Sequence, residues 1–139
     1  MKDRISKDFY DLWLARGYRE IKVEKKKLLD LRVHVWVETD KGFRGVERRI
    51  DATPVMKFLQ GDRQQYEKYV KLLKRQRKDA DYSIDKLEKL IESIETHGYR
   101  KELIVVWAGE NFIRDGQHRA AILYHKHGNI EIEVASVKR

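Results

Sequence analysis

A chain of 139 residues with 41% hydrophobic side chains suits one domain with a modest core. Charged residues make up 39%, and 31 Lys plus Arg outweigh 23 Asp plus Glu for a formal charge of +8, so an anionic partner is expected: nucleotide, nucleic acid, glycan or membrane surface. The absence of cysteine excludes disulfides, thiolate zinc sites, iron–sulfur clusters and cysteine nucleophiles together.

The opening "MKDRISKDFYDLW" holds no long apolar run. No stretch approaches the ~20 apolar residues of a membrane span. A soluble, cytoplasmic protein without a signal peptide is the expectation. "SKDFYDLWLARGY" predicts a short helix, with Ser6 as cap, Phe9, Leu12 and Trp13 on one face, and Gly17 as stop. In "REIKVEKKKLLDL", Ile21 and Val23 alternate as in a strand. In "RVHVWVETDKGFRGVERRI", Val33, Val35 and Val37 alternate with His34, Trp36 and Glu38. The "TDKG" that follows supplies turn chemistry, so a hairpin returning through Phe43 to Ile50 is predicted.

Thr53 with Pro54 marks a helix start, because proline at the first helical position gives up an N–H that has no partner there anyway. Gly61 ends it. "DRQQYEKYVKLLKRQRKD" predicts an amphipathic helix with Tyr66, Tyr69, Val70 and Leu73 on one face. Its basic end, Lys74, Arg75, Arg77 and Lys78, reads either as an anion groove or as a solvated helix terminus. Tyr66 and Tyr69 are candidates for stacking on a base or sugar, with core packing as the plainer reading. "YSIDKLEKLIESIETHG" predicts a helix capped by Ser83, buried along Ile84, Leu87, Ile91 and Ile94, and stopped by Gly98. Leu103 to Trp107 is a continuous apolar run, as in a central strand covered on both faces. An "AGEN" turn, a second strand, the helix "QHRAAILYHKHG" and a closing strand through Ile130, Ile132 and Val134 complete the chain. His125 and His127 do not share a helical face, so a metal pair there is not expected.

The stretch "RDGQHR" at the last strand–helix junction carries the chemistry. Gly116 permits a sharp turn and leaves room against the backbone. The first amides of the next helix lack intrahelical acceptors, and the helix dipole adds positive potential. That end favours an anion. His118 and Arg119 place cations where acidic residues are usual, a conflict that a phosphate would remove. Asp115 suits either a helix cap or a Mg²⁺ ligand beside phosphates. The alternative is a plain surface helix start, with Asp115 as cap and His118 and Arg119 exposed.

Order and spacing from Leu87 to Val137 resemble the ParB/sulfiredoxin-like superfamily: a helix ending in glycine, an apolar strand, a short turn, a strand into a "DGxHR" box, a helix and a closing strand. The resemblance covers the C-terminal two-fifths and implies one α+β domain with a mixed sheet. The core motif region is 83–137, and residues 31–82 form an inserted hairpin plus helices. It also implies that Gly116, Gln117, His118 and Arg119 contact nucleotide phosphates, with Asp115 near a metal or the transferred group. Sulfiredoxins carry a cysteine where this chain has Gln117, so that reaction is excluded. Partitioning proteins carry "GERR" and a following helix-turn-helix domain, so a partitioning role is not expected. The free-serine kinases of this fold, with "DGHHR", are nearest. They use an upstream acid beside the box aspartate, for which Glu24, Asp30 and Asp51 are candidates. The implied function is phosphotransfer from ATP or ADP, with Mg²⁺, to a small hydroxyl or sugar acceptor. Asp115 and one of those acids would be catalytic, with Tyr66, Tyr69 and Arg75 available to hold the acceptor. The competing expectations are a non-catalytic nucleotide- or DNA-binding module and a ParB-like nuclease.

Overall fold

The computed structural model of the protein describes residues 4–17, 19–76, 83–99 and 102–138. Helix α1 (Lys7–Arg16) begins where the Ser6 hydroxyl accepts from the Phe9 amide, and stops at Gly17 in the left-handed region. Strand β1 (Arg19–Lys27) follows, then a 3-10 turn at Leu28–Asp30. Strands β2 (Arg32–Thr39) and β3 (Gly42–Arg49) form the predicted hairpin, and the Thr39 hydroxyl donates to the Gly42 carbonyl across the turn. Helix α2 (Pro54–Leu59) starts at Thr53, whose hydroxyl accepts from the Met56 amide. Helices α3 (Arg63–Gln76) and α4 (Ile84–His97) come next, then β4 (Ile104–Trp107), β5 (Ile113–Asp115), α5 (Gln117–His127) and β6 (Glu131–Lys138).

The protein is therefore of mixed α+β class. Its four-stranded sheet runs β1-β6-β4-β5, with β4 parallel to β6 and the other neighbours antiparallel. Side chains alternate across a strand, so β4 feeds two cores. Ile104 and Val106 join Ile132 and Val134 against α4, α5, α3 and the hairpin valines Val33 and Val35. Leu103 and Val105 join Ala135 and Val137 against Ile5 and Phe9 of the α1 segment. Full burial of each such aliphatic side chain contributes about 1.5–3 kcal/mol.

Three details depart from the sequence expectation. Strand β6 is buried continuously from Val134 to Val137 rather than alternately, because it is an interior strand covered on both faces. Val23 is exposed, because β1 is the sheet edge and α1 does not cover it. Strand β5 begins one residue later than predicted and ends on Asp115 itself. The hairpin forms its own two-stranded sheet and is fastened to the β5 entrance by a bridge between Arg32 and Phe112 and by His34 stacked on the Phe112 ring. Among the described residues no helix is long and apolar enough to cross a membrane.

Candidate functional site

The site is built where β5 hands over to α5. Gly116 has φ of +105°, and a Cβ there would stand 3.0 Å from Ile104 Cγ1, 3.1 Å from Ile104 Cα and 3.2 Å from Arg119 Nη2. Both the backbone angle and the close approach to β4 therefore require glycine. The turn leads into α5, whose first turn lies on the wall of a cleft of about 510 Å³. No side chain among the described residues caps α5. The expected alternative for Asp115, a helix cap, is thereby corrected: its carboxylate turns away from the amides and toward Arg119.

Arg119 lies one helical turn after Asp115, and only 9% of it is exposed. Its Nη2 donates to Asp115 Oδ2 at 3.1 Å and its Nη1 to Glu102 Oε2 at 2.7 Å. A nearly buried guanidinium needs such partners, because an unpaired charge in the interior is strongly unfavourable. Asp115 Oδ2 also accepts the Ser6 hydroxyl at 3.0 Å, which ties the α1 segment to the box. Arg119 is thus no surface residue.

His118 departs from expectation in its charge. Its Nε2 shares a hydrogen bond with the Tyr66 hydroxyl at 3.0 Å, with the Tyr66 ring edge-on to the imidazole. Burial, assisted by the Arg119 charge, pushes its pKa down to about 4. The imidazole is therefore neutral at pH 7, and α5 begins with one cation rather than two.

The other expected residues are distributed as follows. Tyr66 and Tyr69 are buried in the main core, so neither ring offers a face for stacking; Tyr66 borders the cleft, with its hydroxyl on His118. Arg75 donates to Glu38 at 2.9 Å and lies over the Phe43 ring, on the hairpin rather than in the cleft. Arg77 and Lys78 lie outside the described residues. Neither Glu24, Asp30 nor Asp51 borders the cleft. Glu24 is exposed on the edge strand opposite Val134, Asp30 is exposed in the 3-10 turn, and Asp51 is held in a two-point ion pair by Arg49. Among the described residues no group of three or more His, Asp or Glu side chains is arranged to hold a metal ion by itself.

The carboxylate that the fold does bring to the box is Glu102. It sits just before β4, and β4 pairs antiparallel with β5 so that Val105 faces Asp115. The predicted strand–turn–strand already placed the start of one strand beside the end of the other, and that is the signal from which Glu102 was recoverable. Ser6, from the other end of the chain, carried no such signal. Ser83 and Lys86 of α4 and Arg114 of β5 complete the polar wall. Three cations, Lys86, Arg114 and Arg119, thus face two carboxylates, and α5 adds its own positive potential.

Comparison with protein-family models, with curated proteins and with solved structures gives no match to this chain.

Proposed function

We propose that the cleft binds the phosphates of a nucleotide at the first turn of α5, and that the protein is a ParB/sulfiredoxin-like phosphotransferase. In this reading it moves the terminal phosphoryl group of ATP or ADP to the hydroxyl of a small molecule or sugar. The observation that carries it is the uncapped start of α5, opening on a cleft beside an arginine cross-linked by two carboxylates. The order of elements around the box also supports it: β4, β5, α5 and a β6 that returns parallel to β4.

Phosphoryl transfer needs positioned phosphates, neutralised charge and an oriented acceptor. Arg119 and the first amides of α5 would grip phosphate oxygens, with Lys86 and Arg114 at the rim. Asp115 would hold the acceptor hydroxyl, as it holds that of Ser6. His118, being neutral, contributes a hydrogen bond rather than charge. Asp115 and Glu102 present the carboxylate oxygens that Mg²⁺ prefers, few enough that the ion would arrive with its nucleotide. When bound it would neutralise phosphate charge.

Incubation with labelled ATP, Mg²⁺ and a pool of sugars and amino acids tests the reading. A labelled acceptor is expected. Nucleotide binding without transfer would leave a non-catalytic nucleotide module, and salt-dependent DNA binding without nucleotide binding would replace both.

A further inference from the structure

We infer that Ser6 is itself a phosphoryl acceptor, and that the protein phosphorylates its own N-terminal segment within one chain. This rests on the proposed phosphotransfer reading of the same cleft. The carrying observation is the hydrogen bond from Ser6 Oγ to Asp115 Oδ2 at 3.0 Å. A hydroxyl that already donates its proton to a carboxylate is oriented for deprotonation, the geometry a general base requires.

Three further features place Ser6 in the reaction zone rather than beside it. Its side chain borders the same cleft as the Gly116–Arg119 box. The accepting Oδ2 is the atom that also binds Arg119, so hydroxyl, carboxylate and guanidinium are linked in series. The segment is also fixed. The Leu103 amide donates to the Arg4 carbonyl at 2.6 Å, and Ile5 and Phe9 are buried under the sheet. Both serines of the cleft cap a helix, Ser6 accepting from the Phe9 amide and Ser83 from the Lys86 amide; what sets Ser6 apart is that its hydroxyl also donates to the box carboxylate. Ser6 stands at the N-terminus of α1, where a phosphate dianion meets the positive end of the helix.

Ser6 Oγ forms a bond to the terminal phosphorus of the nucleotide. The bond from that phosphorus to its bridging oxygen breaks, and the shortened nucleotide leaves with the electron pair. The Ser6 hydroxyl proton passes to Asp115 Oδ2.

The test uses the full chain with Mg²⁺ and γ-labelled ATP and no added acceptor. Nucleotide binding is measured by calorimetry on the same samples, and phosphate is located by intact mass and peptide fragmentation. One phosphate per chain on Ser6 is expected, with a first-order rate constant unchanged on dilution. Ser6→Ala should bind nucleotide and take no label, whereas Ser6→Thr keeps both cap and hydroxyl and should be labelled at that position. Asp115→Asn, compared at saturating nucleotide, should label roughly 10²-fold more slowly or worse, as expected for loss of a positioned base. If nucleotide binds but no phosphate appears, or it appears on another residue, Ser6 is not the acceptor while nucleotide binding by the cleft stands. A rate that rises with protein concentration would overturn transfer within one chain. If no nucleotide binds to the wild-type protein, the cleft reading itself fails and Ser6 with it.

Discussion

Helices α4 and α5 line the same cleft and start in opposite ways. At α4, the Ser83 hydroxyl accepts from the Lys86 amide, and Asp85 adds a negative charge in the first turn. At α5, the cap position is Gly116, no side-chain cap is present among the described residues, and the first turn carries Arg119 in place of an acid. The α4 terminus satisfies its own amides and charge. At the α5 terminus the cap residue offers no side chain, and Asp115 accepts from Arg119. Two helix starts on one cleft thus differ in whether a side chain closes them, and the proposed phosphate would sit at the one without a side-chain cap.

The sharpest way to break this contrast is Gly116→Ala. The side chain would be forced into a left-handed backbone and against Ile104. A loss of about 3 kcal/mol or more is expected in urea denaturation. Gly98, at the far end of α4, meets nothing within 4 Å of an added Cβ. Its replacement by alanine should cost less, about 1–2 kcal/mol, the strain of the angle alone.

Arg119→Met should lower the affinity for Mg-ATP by ~100-fold, or about 2.7 kcal/mol, through loss of charge-assisted bonds to phosphate. Calorimetry reads this directly, and unchanged affinity would place the anion elsewhere.

His118 gives the start of α5 a pH signature. Its folded pKa, about 4, lies below the 6.5 of an exposed imidazole, so the unfolded chain binds the proton more tightly. The stabilisation is complete above pH 6.5 and is lost as pH falls through about 4. A decline on the order of 2 kcal/mol over that window is expected in chemical denaturation, after allowance for partial solvent access. Much of it should vanish in His118→Gln.

The smallest effect is at the closed terminus. Ser83→Ala should cost about 1 kcal/mol of stability and leave nucleotide affinity unchanged.

Periodicity and caps made most of the fold legible. The Leu87–Ile94 stripe, the Val33–Val35 alternation, the Ser6, Thr53 and Ser83 caps and the apolar β4 all describe local geometry, and the chain order preserves them. What escaped is what depends on three-dimensional meeting. Val23 and the β6 run take their burial from sheet position, which no local pattern encodes. Ser6 reaches Asp115 only because α1 packs under β4. The neutrality of His118 depends on its burial and on the Arg119 charge beside it, which only the assembled fold supplies. Glu24, Asp30 and Asp51 are acids near predicted elements, but the fold turns all three away from the box and brings Glu102 instead.

The most direct test is a titration of isotope-labelled protein with Mg-ATP, followed by backbone amide resonances. Phosphate held at the start of α5 predicts saturable shifts largest at Gly116, Gln117, His118 and Arg119, with the capped first turn of α4 at Asp85 and Lys86 moving less. Saturation with the largest shifts at α4 or the hairpin, or no saturable shift at the box, would contradict it.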